Sequence, residues 1–427
     1  MSNFLLGTST SAHQVEGNNI HSDYWAMENM KYTDFTDKSG AAVDHYNKYR
    51  EDIALMKNAG LNAYRFSIEW ARIEPEEGVF DDCEIDHYRN VIKCCRENGI
   101  EPVVTLHHFT SPKWLIEKGG WESPDVVNYF ARYAKKIAEE LGGELNYICT
   151  INEANMGIQV SAIAERYKAQ MMARAKAASS VEGQAQVGMN FNTMMENMKN
   201  KAAENVTVFG TPTPQVFVSA RTREGDLLVA KAHCAAREAI KNAAPHVKVG
   251  ITLSLHDIQT VDGGEVNAEK EWNDEFSHYV PYIKDDDFIG VQNYTRSVIG
   301  EKGLIPATED MRRTQMDYEF YPEALGHVIK RVYGELGLDV LVTENGIATS
   351  DDSERCEFID RALAGVKECI DDEIPVLGYL HWSFCDNFEW QKGFSMTFGV
   401  VGVDRNTMER KPKASLARLG EYAKKFN

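Results

Sequence analysis

Two glutamates in this chain each end an apolar run. Glu344 follows Val340-Leu341-Val342-Thr343 and precedes Asn345-Gly346, a turn signal. Glu153 follows Tyr147-Ile148-Cys149-Thr150-Ile151-Asn152 in the same manner. A carboxylate at the C-terminal end of a buried strand stands on the rim where α/β folds do their chemistry. Two such groups can share the cleavage of a glycosidic bond, one attacking the anomeric carbon and one moving the proton. The chain reads as a scaffold that holds Glu153 and Glu344 on either side of a sugar.

The elements that must position them follow from periodicity. Short apolar runs predict strands at 4–7, 63–68, 102–106, 147–153, 247–253, 288–294, 339–344 and 375–382. Three- and four-residue spacing predicts helices at 44–59, 83–97, 123–141, 226–243, 322–336, 354–370 and 412–425, several stopped by glycine. Eight strands mostly alternating with helices argue for one (β/α)8 TIM barrel with enlarged βα loops, a single domain over residues 1–427. Residues 156–222 fit the pattern least. They are methionine-rich, with Met171, Met172, Met189, Met194, Met195 and Met198, and read as an irregular excursion at the mouth.

On that model the polar strand ends converge. They are Gln14, Arg65, His107, His108, Asn152, Glu153, Asn293, Tyr294, Glu344 and Trp382. Each alone is ordinary: a strand-end Glu is commonly an ion-pair partner, and a strand-end His a satisfied structural one. Together they suit a neutral polyhydroxylated ligand.

Composition narrows the partners. The formal charge of −19 argues against nucleic acid and anionic membrane surfaces. Eight cysteines without a C-x-x-C pair read as reduced thiols of a cytoplasmic protein. The opening residues lack the basic start and long apolar run of a signal peptide, and no stretch of about 18 apolar residues predicts a membrane span. The expected partner is a small soluble β-glycoside or oligosaccharide. Oligomeric state is not legible.

Five segments, in order, resemble glycoside hydrolase family 1, the family of β-glucosidases and β-galactosidases. They are Ser11-Ala12-His13-Gln14-Val15-Glu16-Gly17, Arg65-Phe66-Ser67-Ile68-Glu69-Trp70, Thr150-Ile151-Asn152-Glu153, Thr343-Glu344-Asn345-Gly346, and His381-Trp382-Ser383-Phe384-Cys385-Asp386-Asn387-Phe388-Glu389-Trp390. The resemblance implies a retaining exo-β-glycosidase without metal or cofactor. Glu344 is then the nucleophile and Glu153 the acid/base, with carboxyls about 5–5.5 Å apart. It implies support from Arg65, Asn293 and Tyr294, a 2-hydroxyl donor in Asn152, and sugar contacts from Gln14, His108, Phe109, Trp382, Glu389, Trp390 and Phe398. Glu389 stands where 6-phospho-β-glycosidases carry serine, and 395–398 lacks their Lys-x-Tyr grip, so the expected substrate is an unphosphorylated β-glucoside, with galactosides and fucosides as further candidates. Three departures stand out: Ala154 where the family has Pro, Phe109 where it has Trp, and 156–222, which matches no family pattern. Ala154 is expected to loosen its loop. The 156–222 segment reads either as a wall around the leaving group, with methionines adapting to it, or as a surface excursion packed on the barrel.

Other readings share these residues. A metal-dependent hydrolase built on His107 and His108 is disfavoured, because neighbours on a strand point to opposite faces. A catalytically inactive sugar-binding protein would not need both glutamates. A transglycosylase of the same family differs only in the acceptor of the second step.

Overall fold

The computed structural model describes residues 4–174 and 190–426. Its central feature is a ring of parallel strands: β1 (Leu5–Ser9), β2 (Ala63–Ser67), β3 (Glu101–His107), β4 (Tyr147–Ile151), β5, β6 (Ile289–Gln292), β7 (Val340–Asn345) and β8 (Val376–Trp382). β5 is broken in two, Lys248–Gly250 and Thr252–Ser254. Its first half pairs with β4 and its second with β6, so the ring closes across Ile251. β8 pairs with both β1 and β7.

Eight helices alternate with these strands: α1 (His45–Asn58), α2 (Asp82–Glu97), α3 (Val126–Leu141), α4 (Arg223–Ala243), α5 (Glu265–Glu275), α6 (Ala324–Leu336), α7 (Asp352–Asp371) and α8 (Ala414–Phe426). Their local causes are readable. Asp81 caps α2 by accepting from the Cys83 and Glu84 N–H groups, and Thr222 caps α4 through the Gly225 N–H. α3 buries Val126, Phe130, Tyr133, Ala134, Ile137, Ala138 and Leu141, a stripe at helical spacing. The barrel interior holds a separate layer with one residue from each of six strands, Leu5, Ala63, Val103, Cys149, Leu341 and Leu380, together with Phe288 just before β6.

The TIM-barrel expectation is met, with three differences in detail. α5 has no counterpart among the predicted helices, because Ala268 and Trp272 are the only apolar residues it buries and the periodic signal is thin. Two small sheets were not anticipated, one of Asp257–Thr260, Arg296–Gly300 and Gly303–Leu304, the other of Val401–Val403 and Arg410–Pro412. The 156–222 stretch contains two long helices, Met156–Arg174 and Phe191–Phe209. The second docks through polar contacts: Asn197 donates to the Thr33 carbonyl, Glu204 accepts from the Lys31 and Tyr32 N–H groups, and Lys201 pairs with Asp34. Of its methionines, Met194 is half-buried and Met198 is exposed, so neither forms a barrel-packed core. Met189 and the side chains of Met171, Met172 and Met195 lie outside what the structure describes. Among the described residues no helix is long and apolar enough to cross a membrane.

Candidate active site

Glu344 sits at the end of β7, where the pairing with β6 shifts register between Val342 and Glu344. That shift brings Glu344 over the barrel interior three residues after the core-layer Leu341, which strict two-residue alternation would not do. Gly346, two residues on, lies where a Cβ would fall 1.8 Å from the Trp382 carbonyl oxygen. The Asn-Gly pair therefore does more than turn the chain. It lets the strand that carries Glu344 press against the end of β8.

The Glu344 carboxylate is buried and held by two donors. Arg65 Nη1 lies 2.7 Å from Oε1, and the Tyr294 hydroxyl lies 2.6 Å from Oε2. Arg65 is fully buried on β2. Its Nε donates to Thr105 Oγ1 and its Nη2 to Asn152 Oδ1 at 2.6 Å. Burial raises the Glu344 pKa, and Arg65, Tyr294 and Gln292 each pull it back.

Glu153 has the opposite surroundings. It is buried, and Oε2 has no hydrogen-bond partner among the described residues. Burial raises its pKa well above the usual carboxyl value, and the Glu344 charge raises it further, with Arg65 opposing. Of this coupled pair, Glu153 is the site that keeps the proton and Glu344 the site that gives it up. The Glu153 backbone is left-handed, φ 44°, a strained conformation for a residue with a side chain. It is held by its N–H on Thr252 Oγ1 at 3.0 Å and by the Ala154 N–H on the Thr252 carbonyl at 3.0 Å. A proline at 154 would have no hydrogen to offer there. Arg221 and Tyr279 both donate to the Ala154 carbonyl. Ala154 is thus tied at both ends rather than loosened.

Around the two acids lies a polar and aromatic bowl. Gln14 Nε2 reaches the Phe388 carbonyl at 2.9 Å and Glu389 Oε2 at 3.3 Å, while its Oε1 accepts from Ser11. His108 stacks on Trp382 at 5.6 Å and on Trp390 at 6.1 Å, with Phe109 packed against the same Trp390 at 5.2 Å. Phe398 meets Tyr294 edge-on. His108 Nε2 lies 3.2 Å from Asn152 Nδ2, and burial and Arg65 hold its pKa well below the ordinary value, so the ring is neutral. Phe109 and Trp390 are, like Glu153, non-glycine residues at positive φ, a clustering of backbone strain at one site.

Two residues stand apart from this bowl. His107 turns into the helical layer, with Nε2 3.0 Å from Ser111 Oγ and its ring against Trp121 and Phe217. The sequence reading placed it at the mouth. The aromatic pocket between β3 and α3 takes it instead, and among the described residues no three His, Cys, Asp or Glu side chains converge as a metal site. The Asn293 side-chain amide is spent on the Leu255 and Thr295 carbonyls, so its support of Glu344 is through the backbone: its N–H donates to the Glu344 carbonyl at 3.2 Å, and its carbonyl accepts from Asn345 Nδ2 at 2.7 Å. Sequence reasoning also missed Gln292, whose amide donates to Asn152 Oδ1 at 2.7 Å, and Tyr318, buried in a cluster with Tyr294, Trp382 and Phe398. Gln292 lies near the end of a predicted strand, two residues before Tyr294, and could have been named on that ground. Tyr318 lies in an irregular stretch with no such signal.

A buried acid with two cationic or phenolic donors, opposite a second acid that keeps its proton, is an arrangement for acid-assisted nucleophilic displacement. The model of glycosyl hydrolase family 1 matches residues 1–425. This chain belongs to that family. The family-1 assignment is reinforced by solved structures. A β-glycosidase, BGL167, is 41% identical, with a TM-score of 0.86, covering 99% of this chain and 96% of that one. An apo β-glucosidase is 37% identical, with a TM-score of 0.88 and coverage of 99% and 98%. A curated relative, the 1,4-beta-D-glucan glucohydrolase of Thermotoga neapolitana, is 28% identical over 449 residues, covering 95% of this chain and 98% of its own length. The chain is therefore a family 1 glycoside hydrolase, and the family's chemistry is retaining β-glycoside cleavage.

Proposed function

We propose that this enzyme is an exo-β-glucosidase acting on unphosphorylated substrates, with Glu344 as nucleophile and Glu153 as acid/base. The observation that carries the assignment is the asymmetry of the two acids. Glu344 is bonded to Arg65 and Tyr294, whereas Glu153 Oε2 is buried without a partner among the described residues.

In the first step a Glu344 oxygen attacks the anomeric carbon, and the bond to the leaving oxygen breaks as Glu153 protonates it. The products are a glycosyl ester on Glu344, a free alcohol and an ionised Glu153. In the second step Glu153 takes a proton from water, and the resulting oxygen attacks the same carbon. The ester bond then breaks, which returns Glu344 ionised and Glu153 protonated. Loss of the Glu344 charge in the ester lowers the Glu153 pKa, so the acid of the first step is suited to be the base of the second.

Asn152, turned by Arg65, faces the 2-hydroxyl in this reading. Gln14 and Glu389 bind hydroxyls at the closed, non-reducing end, and Trp382 stacks on the sugar face. Glu153, Glu344 and Glu389 are all buried acids, with Arg65 already committed to Glu344. A phosphorylated sugar would add negative charge to that bowl, which disfavours it. The test is initial rates on 4-nitrophenyl β-glucoside, β-galactoside, β-fucoside, β-mannoside, α-glucoside and 6-phospho-β-glucoside. Turnover of the β-glucoside without turnover of the α- and 6-phospho compounds is expected. Activity on the 6-phospho compound alone would overturn the role given to Glu389.

A further inference from the structure

We propose that Gln292 is a positioning residue for glycoside cleavage, setting the orientation of Asn152 toward the sugar and, through Thr252, the backbone of Glu153. The inference rests on the roles proposed above for Asn152, Glu153 and Glu344.

Gln292 ends β6, is fully buried, and pairs in register with Glu344 across the β6–β7 ladder. Its side chain points two ways at once. Nε2 donates to Asn152 Oδ1 at 2.7 Å, and Oε1 accepts from Thr252 Oγ1 at 3.1 Å. The first bond joins Arg65 in occupying the Asn152 oxygen. With two donors on Oδ1, the Asn152 amide nitrogen must face the other way, toward His108 and the bowl.

The second bond acts on Glu153. A hydroxyl has one proton to give. Of the three acceptors in reach of the Thr252 hydroxyl, Gln292 Oε1 at 3.1 Å is nearer than the Ile151 carbonyl at 3.4 Å and Asn152 Oδ1 at 3.5 Å, and a proton given there leaves the lone pairs for the Glu153 N–H at 3.0 Å. That N–H belongs to a residue in a strained left-handed conformation, so its fixed acceptor matters more than a bond in a relaxed loop would. The Gln292 amide also favours the ionised form of Glu344. One side chain thus touches the supports of both acids and of the 2-hydroxyl donor.

A buried glutamine that merely satisfies its neighbours would, on removal, slow every substrate alike. A positioning role divides substrates. Gln292→Met keeps length and volume but loses both polar ends. It should lower kcat/KM for 4-nitrophenyl β-glucoside by about tenfold or more, and for the 2-deoxy-β-glucoside by about threefold or less, because the second lacks the hydroxyl that Asn152 meets. Thr252→Val keeps shape and removes the acceptor for Glu153. It should cost about tenfold or more on a phenyl β-glucoside, which needs acid assistance, and about threefold or less on the 2,4-dinitrophenyl compound, which does not. Thr252→Val decides the case if Gln292→Met does not accumulate as folded protein. Equal losses within each substrate pair, or no loss, would overturn the proposal. If the wild-type enzyme turns over the 2-deoxy compound as fast as the glucoside, the role of Asn152 fails instead.

Discussion

Arg65 and Glu344 meet at 2.7 Å, from strands two and seven of the barrel, and the same guanidinium reaches Asn152 at 2.6 Å. One buried cation therefore holds both the Glu344 carboxylate and the residue beside Glu153. Planar, multidentate geometry of this kind is a property of arginine that lysine does not share.

The Tyr294 hydroxyl favours the ionised Glu344 from the other side. Tyr294→Phe removes that donor, so the Glu344 pKa rises. As the proposed nucleophile, Glu344 must be ionised to attack, so the acidic limb of kcat/KM should move to higher pH. The rate should fall about tenfold to hundredfold at mildly acidic pH and less near neutrality. A pH–rate profile with an unmoved acidic limb would count against this contact.

Glu344→Gly should reduce turnover of 4-nitrophenyl β-glucoside by at least about a thousandfold, since the covalent route is lost. Added azide fits the space of the missing carboxylate and should restore release of the phenol. The sugar product should be an α-glycosyl azide, because a single displacement inverts the centre. Polarimetry or NMR of the product checks this, and a variant with wild-type turnover would remove Glu344 from the mechanism.

The Glu344 charge raises the Glu153 pKa. Glu344→Gln removes that charge and should lower the Glu153 pKa, which a carboxyl-selective NMR titration can follow. As the proposed acid, Glu153 must hold its proton, so in the wild type kcat/KM should fall as pH rises through its pKa. Glu153→Gln should abolish that basic limb. Its cost should be about a hundredfold or more on phenyl glucosides and much smaller on 2,4-dinitrophenyl glucoside.

Far from the mouth, Asp52 on α1 takes Arg410 Nε and Nη2 at 2.7 Å each and His45 Nδ1 at 2.7 Å, all buried. Burial alone would raise the Asp52 pKa, but the Arg410 and His45 hydrogen bonds outweigh it and hold the carboxyl below its usual value. A depressed folded pKa means stability that is present above the unfolded value near 4 and is lost as pH falls through the folded one. Asp52→Asn should therefore lower Tm by several degrees at neutral pH, with about 3–5 kcal/mol at stake when one partner of a buried pair is removed. The difference from wild type should shrink on acidification below about pH 4. Calorimetry across pH 3–8 tests this.

Much of the fold is legible because barrel strands are apolar runs bounded by helix caps and glycines, as at 340–346 and 102–107. The two acids are legible because each closes such a run. His107 is misplaced by the same reasoning. Strand-end position says that a side chain is near the mouth, but whether it faces the sugar or the helices depends on the aromatic pocket of Trp121 and Phe217, which comes from distant chain. Glu344 faces inward through a register shift that period-two alternation does not encode. The Thr252 grip on Glu153 is likewise hidden, since it joins residues 99 apart through a backbone N–H.

The break in β5 at Ile251 has a consequence for how such barrels can be taken apart. Thr252 belongs to the half of β5 that pairs with β6, yet it fixes Glu153, the second residue after β4. Cutting the gene between the fourth and fifth strands, the natural seam for recombining half-barrels, would leave Glu153 in one fragment and its anchors, Thr252 and Gln292, in the other. A chimera built at that seam inherits a working acid only if its second parent brings a hydroxyl and an amide to the same two places.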